Sequence, residues 1–383
     1  MKELKIIDLF CGTGGISNGF ETSVNGMFRT ILGADILPIS LETFKLNHPH
    51  AMLFCGDIRK LRRKGVAEVL KISAGDVDVI VGGPPCQGFS SIRPFRSTND
   101  DDPRNSLFEE FASFVNFFRP KVFLIENVVG LATHKNGLTI ESMEECFYKL
   151  GYDCDWKIVN AANFGVPQRR ERLILVGVTK GGKFTFPNPT HLSAGETIGY
   201  KNKRKMLLAG ELLFSASLSQ PVTVTDAISD LPELKAGEQI DSYTKPPQTE
   251  YQKERRSRSQ QLTHHITTNH TPRMLEIIRH AGPNISSIPK HLITSGFSSC
   301  YSRLDADKPA VTITVNFIHP ASNRCIHPIQ DRALSLREGA RLQSFDDSFT
   351  FAGNKTQIAK QIGNAVPPIL GRVFADEIAK IIN

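Results

Sequence analysis

The first half of the chain alternates short apolar runs with amphipathic stretches. LKIIDLF (4–10), MFRTILGAD (27–35), AMLFCGDI (51–58), VDVIVGG (77–83) and KVFLIEN (121–127) have the length and β-branched content of buried strands. Helical patterning lies between them: near 39–47, in a basic stretch after 58, and in LFEEFASFVNFF (107–118). Strands separated by helices of this length predict a parallel sheet covered on both faces. YDCDWKIVN (152–160) and RLILVGVT (172–179) read as a terminal strand pair. After about residue 180 the periodicity weakens, and Pro, Gly, Ser, Lys and His become frequent. That segment reads as a second domain of short strands and loops. Helical signals return in LSLREGARLQSF (334–345) and PPILGRVFADEIAKII (367–382). The predicted architecture is a doubly wound α/β domain over 1–182, a smaller irregular domain over 183–330, and a C-terminal segment, 331–383, returning to the first domain.

Composition narrows the class. No apolar run in the 383 residues approaches the roughly 20 that span a bilayer. The opening MKELKIIDLFCG lacks a signal-peptide layout, so a cytoplasmic protein without a membrane partner is expected. Seven cysteines, at 11, 55, 86, 146, 154, 300 and 325, form no CxxC pair, which argues against structural zinc; no metal is expected. The ordinary role of a lone cysteine is that of a small buried hydrophobe. A net charge of +7 permits a polyanionic partner. Basic runs stand at KNKRK (201–205) and KERRSR (253–258), and residues 180–300 hold 15 Lys and Arg against 10 Asp and Glu, plus several histidines.

In open α/β sheets, ligands bind at the carboxyl ends of the strands. Five strand ends carry candidate chemistry: Asp8 to Gly15 (DLFCGTGG), Asp35, Gly56-Asp57-Ile58, Pro85-Cys86-Gln87, and Glu126-Asn127. The glycine loop fails the dinucleotide pattern G-x-G-x-x-G, because Ser17 stands at the sixth position. Close backbone approach together with an acidic residue after the second strand suits a nucleoside without phosphates, such as S-adenosylmethionine. In VGGPPCQGFS (81–90), Pro85 fixes its own φ and biases Pro84 towards an extended form, restricting Cys86 at the rim.

DLFCGTGG (8–15), GPPCQGFS (83–90), ENV (126–128), FGVPQRRERL (164–173) and QIGNAVPP (361–368) follow one another in an order and spacing that resembles the DNA (cytosine-5)-methyltransferase family, of the bacterial modification-enzyme type. The match covers nearly the whole chain except about 183–300. One departure is LQSFDDSF (342–349), where the family commonly has proline at 346.

The resemblance implies an S-adenosylmethionine-dependent methyltransferase fold with a smaller, irregular target-recognition domain. It implies Cys86 as the nucleophile that adds to carbon 6 of a flipped-out cytosine. Glu126, raised in pKa by burial, would donate a proton to N3. Arg172 would bind the cytosine O2, with Arg170 near Cys86. Phe10, Cys11, Gly12, Thr13, Gly15, Asp35, Ile36, Asp57, Ile58, Pro85, Leu107, Asn364, Ala365 and Val366 would line the cofactor site. Gln87, Ser90 and Asn127 would contact substrate. S-adenosylhomocysteine would be the product, double-stranded DNA the substrate and a restriction endonuclease a functional partner. A monomer is expected, and the two basic runs lean towards phosphate contact. The same chemistry on tRNA, or an inactive DNA-binding module on this fold, are the alternatives. The PPCQGF wording and the long recognition segment favour DNA, and the presence of Cys86, Glu126 and Arg172 disfavours an inactive module.

Overall fold

The computed structural model describes residues 3–23, 26–85, 107–193, 205–207, 218–293 and 296–382. They cluster into two compact units. The first comprises residues 1–164, 171–218 and 368–383; the second comprises 165–170 and 219–367. The chain thus returns to the first unit at Pro368, and 331–367 cluster with the second.

The first unit is built on seven strands: β1 (Leu4–Leu9), β2 (Phe28–Asp35), β3 (Met52–Cys55), β4 (Val79–Gly82), β5 (Val122–Asn127), β6 (Tyr152–Asn160) and β7 (Glu171–Thr179). Their order is β3-β2-β1-β4-β5-β7-β6. The first five run parallel, and β7 enters antiparallel between β5 and β6. All four residues of β4 are buried, as a central parallel strand requires.

Five helices connect or cover these strands: α1 (Gly15–Glu21), α2 (Pro38–Asn47), α3 (Arg63–Leu70), α4 (Leu107–Phe118) and α5 (Leu138–Lys149). In α4, Phe111, Phe114, Val115 and Phe118 recur at helical spacing and are fully buried. The Phe111 and Phe147 rings pack on Phe123 of β5, at centroid distances of 6.0 and 4.0 Å. Gly177 of β7 leaves room for the same ring, because a Cβ there would lie 2.1 Å from it.

The second unit holds α6 (Val224–Ile228), α7 (Glu250–Arg256), α8 (Pro272–Arg279), α9 (Leu336–Leu342) and α10 (Lys355–Asn364). Short strands were expected here; among the described residues the β-pairing of this unit consists of isolated bridges, such as Gln168 with Ala310. Its interior is unusually charged. Arg341, fully buried on α9, donates to Asp230 Oδ1 at 2.6 Å and to Asp347 Oδ2 at 2.7 Å. Arg332 meets Glu338 with two bonds, of 2.8 and 2.6 Å. Burial pushes His264, His270 and His327 down to about 4, so these histidines add no charge at neutral pH.

A final helix, α11 (Pro368–Ile382), packs on α1 in the first unit. Gly19 of α1 permits that approach: a Cβ there would fall 2.3 Å from the Pro368 carbonyl oxygen.

Candidate active site

The carboxyl ends of β1 to β5 share one rim because these strands run parallel. After β1 the backbone turns sharply through Phe10, Gly12 and Gly14, at φ +59°, +53° and +88°. Phe10 is a non-glycine residue in the left-handed region, a sparsely populated conformation that recurs at functional sites. The Gly12 N–H donates to Asp35 Oδ2 at 2.9 Å, and the Leu37 N–H to Asp35 Oδ1 at 2.9 Å. Asp35 thereby ties the end of β2 to the glycine loop. Burial raises its pKa, against these donors. Beside it, Ile36 and Leu37 are 65 % and 50 % exposed. An apolar pair left open at a polar rim is an unsatisfied surface suited to a flat ring.

Beneath the loop lies a buried polar cluster in which Asp8 and Thr13 join Ser17, Glu21 and His48, three residues that motif reading left out of the site. Ser17 Oγ donates to Asp8 Oδ2 at 2.6 Å. His48 Nδ1 meets Glu21 Oε2 at 2.8 Å, and a Cβ on Gly14 would stand 2.7 Å from His48 Nε2. Asp8 Oδ1, Thr13 Oγ1 and His48 Nε2 are buried without a hydrogen-bond partner among the described residues. Burial pushes the Asp8 carboxyl up to about 7, against the Ser17 hydroxyl. The unfolded carboxyl ionises near 4. Asp8 therefore contributes stability below about pH 4 that is lost as pH rises towards 7. Asp8→Asn is expected to gain thermal stability relative to wild type as pH is raised from 5 to 8. A difference in melting temperature that stays flat over that range would refute this.

Glu126 and Arg172 meet at the reacting end of the rim. Arg172 Nε lies 2.7 Å from Glu126 Oε1, each side chain 14 % exposed. Arg172 Nη1 also donates to the Glu171 carbonyl at 2.7 Å. Gly83, after β4, keeps the space beside the carboxylate open: a Cβ there would stand 3.3 Å from Glu126 Oε2. Glu126 was expected to be buried in the crevice; it is largely buried there and has a guanidinium partner.

Asn127 joins the two motifs. Its Nδ2 donates to the Pro84 carbonyl at 3.1 Å, and its Oδ1 accepts from the Val128 N–H at 2.9 Å. It was expected as a substrate contact, and it also tethers Pro84, two residues before Cys86. Cys86, Gln87 and Ser90 themselves lie outside the described residues. Asn127→Ala is expected to lower kcat by about 10- to 100-fold through misplacement of that turn, with KM for the methyl donor little changed. Steady-state kinetics check this; a rise in the donor KM at constant kcat would contradict it.

Other expected site residues separate into distinct groups. Cys11 is buried, and burial with the nearby Asp8 and Asp35 charges pushes its thiol well up, so it is no nucleophile. Gly15 opens α1, Leu107 opens α4 against the core, and Pro85 follows the buried Pro84. Ile58 is buried, while Asp57 is clamped by Arg59 through its side chain and N–H, which holds its carboxyl down at about 2. Asn364, Ala365 and Val366, at the end of α10, belong to the second unit.

Arg170, expected near Cys86, bonds to backbone carbonyls. It is 2 % exposed and donates to the carbonyls of Ile313 and Gly363 at 3.3 and 3.1 Å, inside the second unit. The adjacent Gln168, absent from the expected site, donates to the Leu342 carbonyl and to Gln343 Oε1 and accepts from the Ile313 N–H. Both hold backbone in place.

Several cations of the basic runs have carboxylate partners within the protein. Lys253 pairs with Glu250, Arg255 with Glu254 and Asp346, and Arg256 with Asp230. Lys205 pairs with Asp155 and covers the Trp156 ring; 201–204 lie outside the described residues. Most of these described cations are thus structural. Asp346, where the family commonly has proline, supplies one partner, a charge contact of 2.8 Å to Arg255.

A parallel sheet closed by an antiparallel pair, with a glycine loop after its first strand and an acid after its second, is the α/β fold of the S-adenosylmethionine-dependent methyltransferases. Residues 4–380 match the family described as C-5 cytosine-specific DNA methylase. The type II methyltransferase M.AgeI of Thalassovita gelatinovora is 34% identical over 99% of this chain and 100% of its own length. M1.HphI of Haemophilus parahaemolyticus, also a type II methyltransferase, is 35% identical over 99% of this chain and 87% of its own. A crystal structure of a prophage-encoded E. coli protein, described as a DNA modification methyltransferase, superposes with a TM-score of 0.74 at 24% identity, over 100% of both chains. The chain belongs to the C-5 cytosine-specific DNA methylase family and is a DNA (cytosine-5-)-methyltransferase.

Proposed function

We propose that the protein transfers the methyl group of S-adenosylmethionine to carbon 5 of a cytosine within a short specific sequence of double-stranded DNA. The observation that carries this reading is the Glu126–Arg172 pair, set beside the Gly83–Pro85 turn that Asn127 tethers.

The residues present fit the cofactor. The Asp35 oxygens accept from the Gly12 and Leu37 N–H groups and keep acceptor capacity for ribose hydroxyls. Ile36 offers an open apolar face to adenine. A Cβ on Gly12 would meet nothing within 4 Å, so the loop leaves space at the rim. The cofactor supplies an electrophilic methyl group; the chain supplies position and nucleophile.

A stacked base is out of reach, so the target cytosine leaves the duplex, at a cost of a few kcal/mol. The Cys86 thiolate adds to carbon 6, and the ring electrons move to carbon 5. Glu126 takes up a proton as the ring displaces Arg172 from it, contacts N3 and the exocyclic amine, gives that proton to N3 as charge builds there, and takes it back when Cys86 leaves. Arg172, freed from part of its bond to Glu126, holds O2. Carbon 5 then accepts the methyl group. Loss of the carbon-5 proton to base or water returns the electrons and expels Cys86.

The second unit would read sequence, the enzyme would act as a monomer, and a restriction endonuclease of matching specificity would be its counterpart, as in the type II systems of its relatives. Among the described residues no helix is long and apolar enough to cross a membrane. The test is methyl transfer from labelled S-adenosylmethionine to DNA and to tRNA side by side. Digestion of the DNA should yield labelled 5-methylcytosine, and bisulfite sequencing should place it in one short motif. Label in tRNA alone would overturn the reading.

A further inference from the structure

The segment between β3 and α3 carries a cationic ridge that neither the fold nor the proposed chemistry uses. Residues 58–71, IRKLRRKGVAEVLK, contain six basic side chains and one acid. Two of the six are neutralised within the protein: Arg59 by Asp57 and Arg63 by Glu110. Ile58, Leu61 and Val66 are buried and fix which side faces inward. Lys60, Arg62 and Lys64 therefore face out, exposed, with no ion pair to a carboxylate among the described residues.

Their placement works against the fold. Three like charges within five residues repel one another, by about 1 kcal/mol per pair at 4 Å in water and less with salt. Lys64 also lies in the first turn of α3, which has no acidic residue and no side-chain cap. Cations there oppose the helix dipole. A helix chosen for stability alone would carry the opposite charges. The ridge also follows the carboxyl end of β3, so it continues the rim that holds Asp35 and the glycine loop.

We propose that Lys60, Arg62 and Lys64 form a contact surface for the DNA phosphate backbone, separate from the reacting cytosine and blind to sequence. This inference rests on the DNA-methylating function proposed above. Uncompensated cations spaced along a rim neutralise phosphates and release counterions, so their effect is read in salt dependence. The ridge holds flanking duplex while the target is sought and flipped.

The test uses the full-length protein and its triple variant K60A/R62A/K64A. Binding to a labelled 40-base-pair duplex of arbitrary sequence is titrated across sodium chloride concentrations. The slope of log affinity against log salt should fall in magnitude by about 3, roughly one per lost contact. Methyl transfer to plasmid DNA at saturating concentration should retain the wild-type kcat. S-adenosylmethionine affinity by calorimetry and the thermal midpoint should be unchanged. An unaltered salt slope overturns the proposal. So does a variant whose main loss is cofactor affinity, which would place the ridge in the cofactor site. Wild type that methylates no DNA sinks the proposed function itself, a result distinct from either.

Discussion

Cys86→Ala is expected to abolish methyl transfer, by at least about 10⁴-fold, and to abolish covalent capture of DNA. A duplex containing 5-fluorocytosine separates the covalent mechanism from mere binding. The fluorine cannot leave as the carbon-5 proton does, so the methylated adduct cannot expel the thiol. Wild type with S-adenosylmethionine should give a denaturation-resistant protein–DNA band, and the variant none. Three of the other described thiols are poorly set to substitute. Burial pushes Cys11 and Cys325 well up and Cys154 up to about 12, leaving each protonated at neutral pH. An equal band from Cys86→Ala, or no band from wild type, would refute the mechanism. Glu126→Gln keeps the shape and should bind DNA while forming the adduct far more slowly.

Arg341→Met should destabilise the second unit by about 3–5 kcal/mol, because it leaves buried carboxylates without their main partner. Asp230 would keep Arg256 at 3.0 Å, and Asp347 would keep the Tyr243 hydroxyl at 2.6 Å. Neither replaces the direct Arg341 bonds. Hydrogen exchange of the α9 amides should accelerate by about 10²- to 10³-fold. Trp156, the single tryptophan, lies in the first unit and reports separately on that unit. Adding Asp230→Asn and Asp347→Asn should recover part of the loss, since the cost comes from buried charge. A triple variant weaker than Arg341→Met would show that packing dominates instead.

The strands of the first unit were legible because each is a short apolar run ended by Gly, Asp or Asn, and local pattern suffices to mark it. The position of β7 between β5 and β6 was not. That placement depends on pairing Glu126 with Ile174, residues far apart in sequence. The glycine loop, Asp35, Glu126 and Arg172 were each marked by motif or strand end, but the bond between Glu126 and Arg172 was not. The backbone contacts of Arg170, to the carbonyls of residues 313 and 363, could not be read from its place two positions from Arg172. The partners of the charge runs were hidden for the same physical reason. The partners of Arg255 and Arg256 include Asp346 and Asp230, which no local reading of KERRSR reveals. The unpaired ridge at 60–64 hid inside what read as an ordinary basic helix.

The packing of α11 on α1 has a kinetic consequence. Gly19 and the Pro368 carbonyl meet across about 350 intervening residues, and that contact closes the first unit around an insertion that is itself a compact unit. Closure of so long a loop is entropically late, so the sheet can form its parallel core well before this seam is sealed. Refolding should then run in two phases, and a side chain at position 19 should slow or abort only the second.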